Sequence, residues 1–286
     1  MQEHVEYPVA KWAKYFQVSR SGYYAYAKHR EAREKEGAAL KGLVRRIFEG
    51  SGGTYGPDRV SGILRKRGHK ASYRRIGGMM AEMGLSSIHN RHKARSLTDS
   101  RKARGEGYVN LVKGKNFDKP LQAVCSDITY LKSGEGWLYQ CVVKDIVTKR
   151  IIGEATSETL KKGLVIRAFL NAQARHKLAP GAIFHSDRGS QYTSKGFMDT
   201  LKLYGIAQSF SRVGMPGDNA WAESFFATLK KECIHFRHFA TRERLRATIF
   251  AWTGGFYSTR RVQAGLGYMT PQEYAASLRA SGSRVA

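Results

Sequence analysis

Three consecutive β-type segments constrain the fold of this chain more than any other feature of its sequence. They are rich in β-branched and aromatic residues, are separated by short turns, and cover residues 121–132, 137–146 and 149–156. Helices are then expected to alternate with strands, the helices over residues 157–177, 194–205 and 219–231 and the strands over residues 181–187 and 206–210. Three antiparallel strands followed by alternating helices and strands predict an α/β domain with a mixed sheet.

The N-terminal region has helical patterns. Residues 9–29 predict two short helices around a break at residues 17–22, with Ser19 or Ser21 as the N-cap of the second helix. This arrangement is the outline of a helix-turn-helix. A plain helical hairpin fits the same pattern equally well.

A second helical pair is predicted, with one helix from about Pro57 and another from about Ser72 to Gly84. Arg74 and Arg75 would then lie at the start of a recognition helix, where side chains can reach a DNA groove. A simple hairpin again explains this pair taken alone. Two such pairs on a strongly basic segment favour DNA binding.

The composition of residues 88–116 is polar, basic and aperiodic, which is typical of a linker. We therefore predict a helix-turn-helix-like segment, a second helical DNA-binding module, a linker, and an α/β domain with a C-terminal helical extension. These parts cover residues 1–36, 37–105, 106–117 and 118–286.

Net charge identifies the class of partner. The chain has 49 Lys and Arg against 23 Asp and Glu, a formal charge of +26. Such an excess favours a polyanion, because neutralising each phosphate of a nucleic acid releases condensed counterions. A basic ribosomal protein or a membrane-surface protein is the alternative that charge alone leaves open.

Composition also indicates the cellular compartment. The sequence has no signal-peptide pattern and no apolar run of about 18 residues, so we expect a cytoplasmic protein with no membrane partner. Cys125, Cys141 and Cys233 form no CxxC pair and are expected to stay reduced. A zinc site that combines Cys233 with His235 and His238 would lack a fourth ligand, and none is predicted.

Three carboxylates form the candidate catalytic centre. Asp127 lies within the first predicted strand, Asp187 follows a later strand, and Glu223 begins a helix. If the fold brings them within about 4 Å, each pair would repel by about 4 kcal/mol at an effective dielectric constant near 20, so a cation is required. Oxygen ligands favour two Mg²⁺ or Mn²⁺ ions, which support phosphodiester chemistry. Asp145 and Asp218 are rival acids, of which Asp145 is typical of a turn and Asp218 of a helix cap.

Several segments resemble the successive signature blocks of OrfB-type transposases of bacterial insertion sequences, which are relatives of retroviral integrases. They are "VSRSGYYAY", "TYGPDRVSGILRKRGH", "SDITYLK", "HSDRGSQYTS", "SFSRVGMPGDNAWAESFFATLKKE" and "FYSTRRVQAGLGYMTPQEY". Thirty-five residues lie between Asp187 and Glu223, which matches the D,D(35)E arrangement of that superfamily. The similarity covers nearly the whole chain. Five positions depart from the usual family residues, namely Val124, Cys125, Ser126, Ser258 and Gln263.

The resemblance implies an RNase H-like catalytic core behind helix-turn-helix-type DNA-binding modules. It also implies that Asp127, Asp187 and Glu223 bind the metal ions and that the activity is strand cleavage and strand transfer at insertion-sequence ends. The implied partners are the double-stranded DNA of the element ends and target DNA, further copies of the chain on DNA, and an upstream helix-turn-helix and coiled-coil protein or fusion. An inactive DNA-binding regulator that bridges element ends is the alternative, and a stand-alone RNase H-like nuclease is a third possibility.

Further residues are candidates for DNA contact. Arg188 and Gln191 follow a strand end, where polar groups can approach a phosphate, and Asn219 either contacts DNA or caps the next helix. Lys230 lies seven positions beyond Glu223, so an ideal helix places it about 20° short of two full turns on the same face. The family resemblance indicates the same lysine. His185 is expected either to orient a group at the metal site or to pack beside it.

Overall fold

The structure is a computed structural model that describes residues 9–90, 108–212 and 215–282. The α-helices are α1 Val9–Tyr15, α2 Arg20–Gly50, α3 Pro57–Lys66, α4 Tyr73–Glu82, α5 Lys162–His176, α6 Lys195–Leu203, α7 Ala220–Leu229, α8 Arg242–Ala251 and α9 Pro271–Gly282. The strands are β1 Ala123–Ser133, β2 Gly136–Asp145, β3 Ile151–Ser157, β4 Ile183–Ser186 and β5 Ala207–Phe210. Within these ranges no helix has the length and apolar character needed to cross a membrane.

The five strands form one mixed sheet in the order β3-β2-β1-β4-β5. β1 pairs antiparallel with β2, and β2 pairs antiparallel with β3. β4 pairs parallel with both β1 and β5. The predicted mixed sheet is therefore confirmed.

Both faces of the sheet are covered by helices. On one face Val143 and Phe184 of the strands pack with Phe169 of α5, and on the other Leu138 packs with Phe225 of α7. Residues Val142 and Val143 belong to different clusters, as the alternation of side chains along a strand requires. The sheet is thus buried on both sides, which leaves its strand ends to present polar groups.

The N-terminal helices differ in length from the expectation. The predicted break is present, because Gln17 has a φ of 54° and the Ser19 side chain caps α2 by accepting a hydrogen bond from the Gly22 amide. The second helix is not short, however, and continues to Gly50. Leu40 and Val44 are buried against the helices that follow, and this tertiary packing extends α2 through the division predicted at residue 36.

The second helical pair matches the prediction. Ser72 caps α4 by accepting a hydrogen bond from the Arg75 amide, and Gly84 ends it in the left-handed region with a φ of 67°. Val60 and Ile76 are fully buried where α3 and α4 pack together. Of the predicted linker, residues 91–107 lie outside the described ranges.

Two helices of the α/β domain have different limits from those predicted. α5 begins at Lys162 and not at Ser157, because Ser157 still pairs with Tyr139 in the sheet. The regular geometry of α7 ends at Leu229 and continues as a π-helical turn over Lys230–Ile234. A second π-helical turn follows α8 over residues 252–257.

The helical module, formed by α2, α3 and α4, packs against the C-terminal part of the chain through polar contacts. The Tyr55 hydroxyl donates to the carbonyl oxygen of Arg260 at 2.8 Å and accepts from the amide of Val262 at 2.9 Å. The Tyr268 hydroxyl donates to the Asp58 carboxylate at 2.6 Å. These contacts join segments about two hundred residues apart in sequence.

A buried ion pair reinforces the same contact. The Glu232 carboxylate lies in the π-helical turn after α7 and accepts two hydrogen bonds from Arg261 Nε and one from Arg261 Nη2. His89 of the helical module lies 2.6 Å from the same carboxylate. Burial acts to raise the pKa of Glu232, but the hydrogen bonds from His89 and Arg261 outweigh it and lower this pKa.

Replacement of Gly153 tests how closely α5 packs on the sheet. A β-carbon at Gly153 would lie 2.4 Å from the carbonyl oxygen of Ala168, so we expect Gly153→Ala to destabilise the fold by about 1–3 kcal/mol. Gly37→Ala in α2 is the control, since no neighbour lies within 4 Å and the change should raise helix stability slightly. The midpoint of urea unfolding measures both. Equal midpoints for the two variants would contradict this packing.

Candidate active site

The pairing of β1 with β4 places the first two candidate acids next to each other. Cys125 of β1 is paired in parallel with His185 of β4. Asp127 and Asp187 each lie two residues further along, so they leave adjacent strands on the same side of the sheet. Asp127 is half-buried and Asp187 is exposed just past the end of its strand. Each carboxylate accepts a nearby backbone hydrogen bond, from the amides of Ile128 and Gly189 respectively.

The third acid, Glu223, is held by the anchoring of α7 on the sheet. Asn219 Nδ2 donates to the carbonyl oxygen of Ser126 at 3.1 Å, and Lys144 Nζ donates to the carbonyl oxygen of Trp221 at 2.6 Å. These two bonds fix the first turn of α7 to β1 and β2. Glu223 lies in that turn and is exposed toward the two aspartates.

The burial of Asn219 corrects the expectation that it contacts DNA. Only 4% of the residue is exposed, and its amide donates to the strand that carries Asp127. Its side chain does not cap α7 either. Asn219 therefore acts on the site by positioning α7.

The three carboxylates interact electrostatically. Burial and the Asp187 carboxylate raise the pKa of Asp127 to about 7, and Glu223 contributes in the same direction. Although both residues are exposed in part, desolvation of the carboxyl group raises the pKa of Asp187, and desolvation followed by the Asp187 carboxylate raises that of Glu223. Lys230 opposes this effect at Asp127. The site therefore concentrates negative charge that the protein neutralises only in part.

The chemistry of this group fits a divalent metal ion. Within the described ranges, no three His, Cys, Asp or Glu side chains are already arranged as a metal-binding cluster. The three acids nevertheless present only oxygen ligands, and a cation would offset the burial and the repulsion that raise the pKa values of Asp127 and Glu223. Asp127, Asp187 and Glu223 are the residues that could hold it.

Both rival acids are engaged elsewhere. The buried Asp145 carboxylate accepts hydrogen bonds from the amides of Leu121 and Thr148 and from the Thr148 hydroxyl, as a turn residue does. Asp218 forms a two-pronged ion pair with Arg212, whose hydrogen bonds lower the pKa of Asp218. Asp145 and Asp218 are therefore structural acids in this fold.

The loop after β4 is ordered by its own polar groups. Arg188 Nε donates to the carbonyl oxygen of Ser211 at 3.0 Å, and its guanidinium lies over the Tyr108 ring at 5.4 Å. Gln191 Nε2 contacts the carbonyl oxygen of Leu160 at 3.4 Å. Both side chains are partly exposed next to Asp187, and their contact with DNA stays a prediction.

His185 packs beneath the site. It is buried, and its two ring nitrogens contact the Ser209 hydroxyl at 2.8 Å and the carbonyl oxygen of Asp218 at 3.0 Å. Burial lowers the pKa of His185, which keeps the ring neutral. The packing interpretation is the one that this environment supports.

The two lysines after α7 have different environments. Lys230 is half-buried and close enough to Asp127 for the two charges to interact, although burial lowers the pKa of Lys230. Lys231 Nζ instead donates to the carbonyl oxygen of His89 at 2.6 Å. Lys230 thus faces the acids, while Lys231 joins the helical module to the core.

The remaining sequence candidates lie away from the acids or in the core. Arg74 is exposed on the first turn of α4, and Arg75 forms an ion pair with Glu36 of α2 at 3.3 Å. Cys233 is buried in the apolar cluster under α7 and α8.

Four of the positions that depart from the family pattern serve the fold. The Ser126 hydroxyl contacts the buried Tyr192 hydroxyl at 2.8 Å, and Cys125 is fully buried. The Ser258 hydroxyl donates to the carbonyl oxygen of Thr253. The backbone amide of Gln263 donates to the carbonyl oxygen of Met269. None of these contacts disturbs Asp127, Asp187 or Glu223.

Sequence reasoning missed the residues that hold the site in place. Lys144 is 3% exposed and lies near the end of an apolar strand. A lysine in such a strand is the sequence signal that could have indicated its anchoring role. Glu232 pairs with Arg261, which lies 29 residues away in the sequence, and with His89, which lies 143 residues away. No local sequence pattern could have indicated these pairs.

Comparison with protein families agrees with this architecture. Two Integrase core domain models match residues 118–216 and 204–271, and an HTH-like domain model matches residues 35–93. A transposase for the insertion sequence element IS904 of Lactococcus lactis is 34% identical over 236 residues, which are 82% of this chain and 92% of that protein. The chain belongs to the insertion-sequence transposases.

A second relative covers more of this transposase. Transposase InsF for insertion sequence IS3A of Escherichia coli is 31% identical over 278 residues, which are 96% of each chain. The family typically uses a divalent metal ion, and its HTH-like domain implies DNA binding. The integrase core matches also confirm the expected RNase H-like fold class.

Solved integrases are similar at lower identity. The catalytic core domain of BIV integrase is 14% identical with a TM-score of 0.42, over 57% of this chain and 98% of that one. The HTLV-2 integrase catalytic core domain in complex with magnesium is 17% identical with a TM-score of 0.42, over 55% of this chain and 97% of that one.

The raised pKa of Asp127 generates a stability prediction for the metal-free transposase. The native carboxyl group has a pKa of about 7 and the unfolded one of about 4, so the native state binds more protons between these values and wild-type stability falls as pH rises through them. Asp127→Asn removes this penalty. We expect it to stabilise the protein at pH 8 by at least about 1 kcal/mol, with no gain below about pH 4.

Thermal unfolding in a chelator between pH 4 and pH 8 measures the difference between Asp127→Asn and wild type. Asp199→Asn on the exposed part of α6 is the matched control and should follow the wild-type curve. A stability difference that stays constant with pH would contradict the assigned environment of Asp127.

Proposed function

We propose that this transposase cleaves and joins DNA strands at the carboxylate group formed by Asp127, Asp187 and Glu223. One observation supports the assignment: the β1–β4 register and the Asn219 anchor bring the three acids toward one strand end, where Asp187 raises the pKa of both Asp127 and Glu223. The rival acids Asp145 and Asp218 have structural partners instead.

The chemistry requires little from the protein beyond position and charge. We propose that the acids hold two divalent cations, Mg²⁺ or Mn²⁺, which stabilise the attacking and leaving oxygens of an in-line displacement. Asp127 and Asp187 are preorganised by strand pairing, and Glu223 by the anchored helix. Water would attack the phosphodiester at the element end, which breaks its P–O3′ bond and frees a 3′-hydroxyl. That 3′-hydroxyl would then attack a second phosphodiester, join to its phosphorus and release the 3′-hydroxyl of the second strand, so no covalent protein intermediate is needed.

Lys230 is placed to hold a phosphate beside the acids. It is half-buried near Asp127, and an ammonium group there both offsets the negative charge and donates to a phosphate oxygen. Arg188 and Gln191, next to Asp187, are proposed as further contacts to the same strand.

The helical modules are proposed to recognise the element ends. Arg74 is exposed at the start of α4, where a recognition helix would meet a groove, and Arg75 contributes from the same turn. The net charge of +26 supports binding of both element and target DNA. We also propose that copies of the chain assemble on DNA and that an upstream helix-turn-helix and coiled-coil partner or fusion acts with it.

Substitution of the acids tests the catalytic assignment. Asp127→Asn, Asp187→Asn and Glu223→Gln should each abolish cleavage and joining, by at least about 10³-fold, because a metal ligand is lost. DNA binding should persist. Asp199→Asn is the control, and a labelled element end with Mg²⁺ or Mn²⁺ reports nicking and joining together.

The outcomes of this experiment separate the candidate functions. Near wild-type joining by any of the three variants would reassign that residue. Binding without cleavage by the wild-type protein would favour the DNA-binding regulator. Cleavage of RNA–DNA hybrids without joining would favour a nuclease.

The two lysines after α7 provide a second test. Lys230→Ala should reduce joining and weaken binding of the element end, by about tenfold, because it removes a charged contact to phosphate. Lys230→Arg should retain much of both. Lys231→Ala removes the contact with His89, so it should lower thermal stability more than DNA affinity. Equal losses of DNA affinity from the two alanine variants would show that Lys230 belongs to a diffuse basic surface.

A further inference from the structure

A basic cavity lies on the flank of α7, beside the carboxylates and separate from them. It has a volume of about 390 Å³, and three further parts of the chain line it together with α7. α3 contributes Arg59, the end of β2 and the turn after it contribute Lys144 and Lys149, and the C-terminal segment contributes Arg261 and Gly265. Ser224, the residue after Glu223, lines the same cavity.

Four cationic side chains line this cavity and no carboxylate does. Arg261 is paired with the buried Glu232. In the described part of the chain, Arg59, Lys144 and Lys149 form no ion pair with a carboxylate. Three of the four cations that line the cavity therefore have no ion-pair partner among the described residues.

The donors of these cations are only partly used. Lys144 Nζ makes one hydrogen bond, to the carbonyl oxygen of Trp221, and an ammonium group has three donors. Arg59 Nε is buried and has no hydrogen-bond partner among the described residues. A buried donor without a partner is costly, so an acceptor in the cavity would stabilise this arrangement.

Repulsion between the neighbouring cations also favours binding of an anion in the cavity. Burial, and after it the neighbouring Lys144, lowers the pKa of Lys149. Burial, and after it Arg261, lowers the pKa of Arg59. Each cation is thus held at a cost that a bound anion would offset.

We propose that this cavity binds a backbone phosphate of the DNA that the transposase holds, with Arg59, Lys144 and Lys149 as its donors. The proposal rests on the DNA transposase function, which supplies the ligand. Because Arg59 belongs to the HTH-like region and the two lysines to the catalytic core, one phosphate would join both parts. Because Ser224, the residue after Glu223, lines the cavity, that phosphate would lie near the proposed catalytic acids.

The position of the cavity favours a DNA phosphate over a free one. Three separate parts of a chain with a charge of +26 contribute to it, and its volume exceeds that of a single phosphate ion, which leaves room for the adjoining sugar. Free inorganic phosphate shares the same chemistry, so the experiment includes it as a separate arm.

The salt dependence of DNA binding tests the proposal without catalysis. Binding of a labelled element-end duplex is measured by fluorescence anisotropy in a chelator between 50 and 200 mM salt. The double variant Arg59→Gln/Lys149→Gln should bind about tenfold more weakly, and its slope of log affinity against log salt should fall by about one unit. Because no metal ion is present, a failure of the proposed cleavage chemistry would not affect this result.

A matched control removes two charges elsewhere. Lys132→Gln/Lys202→Gln changes two exposed lysines, on the β1–β2 hairpin and on α6, and should keep the wild-type slope. Equal slopes for the two double variants would overturn the proposal in favour of a diffuse basic surface. Thermal unfolding of each variant verifies that it is folded.

Gly265→Ala probes the cavity without removing a charge. A β-carbon at Gly265 would lie 2.6 Å from Lys149 Nζ and would displace that ammonium group. We expect a smaller loss of DNA affinity, in the same direction as that of the double variant. Wild-type affinity in this variant would count against a role for Lys149 at that position.

Inorganic phosphate distinguishes the source of the ligand. The wild-type protein should gain thermal stability in phosphate buffer relative to chloride at equal ionic strength, and Arg59→Gln/Lys149→Gln should gain less. If phosphate stabilisation is lost in the double variant while its DNA salt slope stays at the wild-type value, the cavity binds a free phosphate and the DNA assignment is wrong.

Discussion

The parallel pairing of β1 with β4 is the contact on which the rest of the site depends. Only three residue pairs form it, from Ala123 with Ile183 to Cys125 with His185, yet it determines which side chains leave the sheet together. Asp127 continues along its strand into the antiparallel hairpin, whereas the chain turns away after β4. Two carboxylates therefore meet where one strand continues and the other ends.

Burial of the surrounding sheet strengthens the electrostatic interaction between these carboxylates. The strands are covered on both faces, so water is partly excluded and the repulsion between Asp127 and its neighbours is weakly screened. The chain contains more than twice as many basic as acidic side chains, and among the described residues Lys230 is a cation that acts on Asp127. The three acids therefore concentrate negative charge within a chain whose formal charge is +26.

The ion pair of Glu232 with Arg261 couples this site to the helical module. A buried ion pair adds little net stability against its desolvation cost, but loss of one partner would leave a buried charge. Glu232 lies two residues beyond Lys230 and also contacts His89. The same π-helical turn therefore links the candidate active site, the C-terminal segment and the HTH-like region.

Much of this could be predicted from the sequence, because local patterns determine it. The strands and the mixed sheet follow from β-branched runs and turns, the cap at Ser72 from its position before a helix, and the candidate acids from their spacing within family motifs. Only the tertiary structure shows that the carboxylate of the rival Asp145 accepts hydrogen bonds from Leu121 and Thr148, while Asp127 is the acid that we propose for the catalytic centre. The tertiary structure also extended α2 through Gly37 by burying one face, and it turned Asn219 inward to anchor α7. A feature can be predicted from the sequence where neighbouring residues supply its stabilising interactions. Where those interactions come from contacts between distant segments, only the tertiary structure determines it.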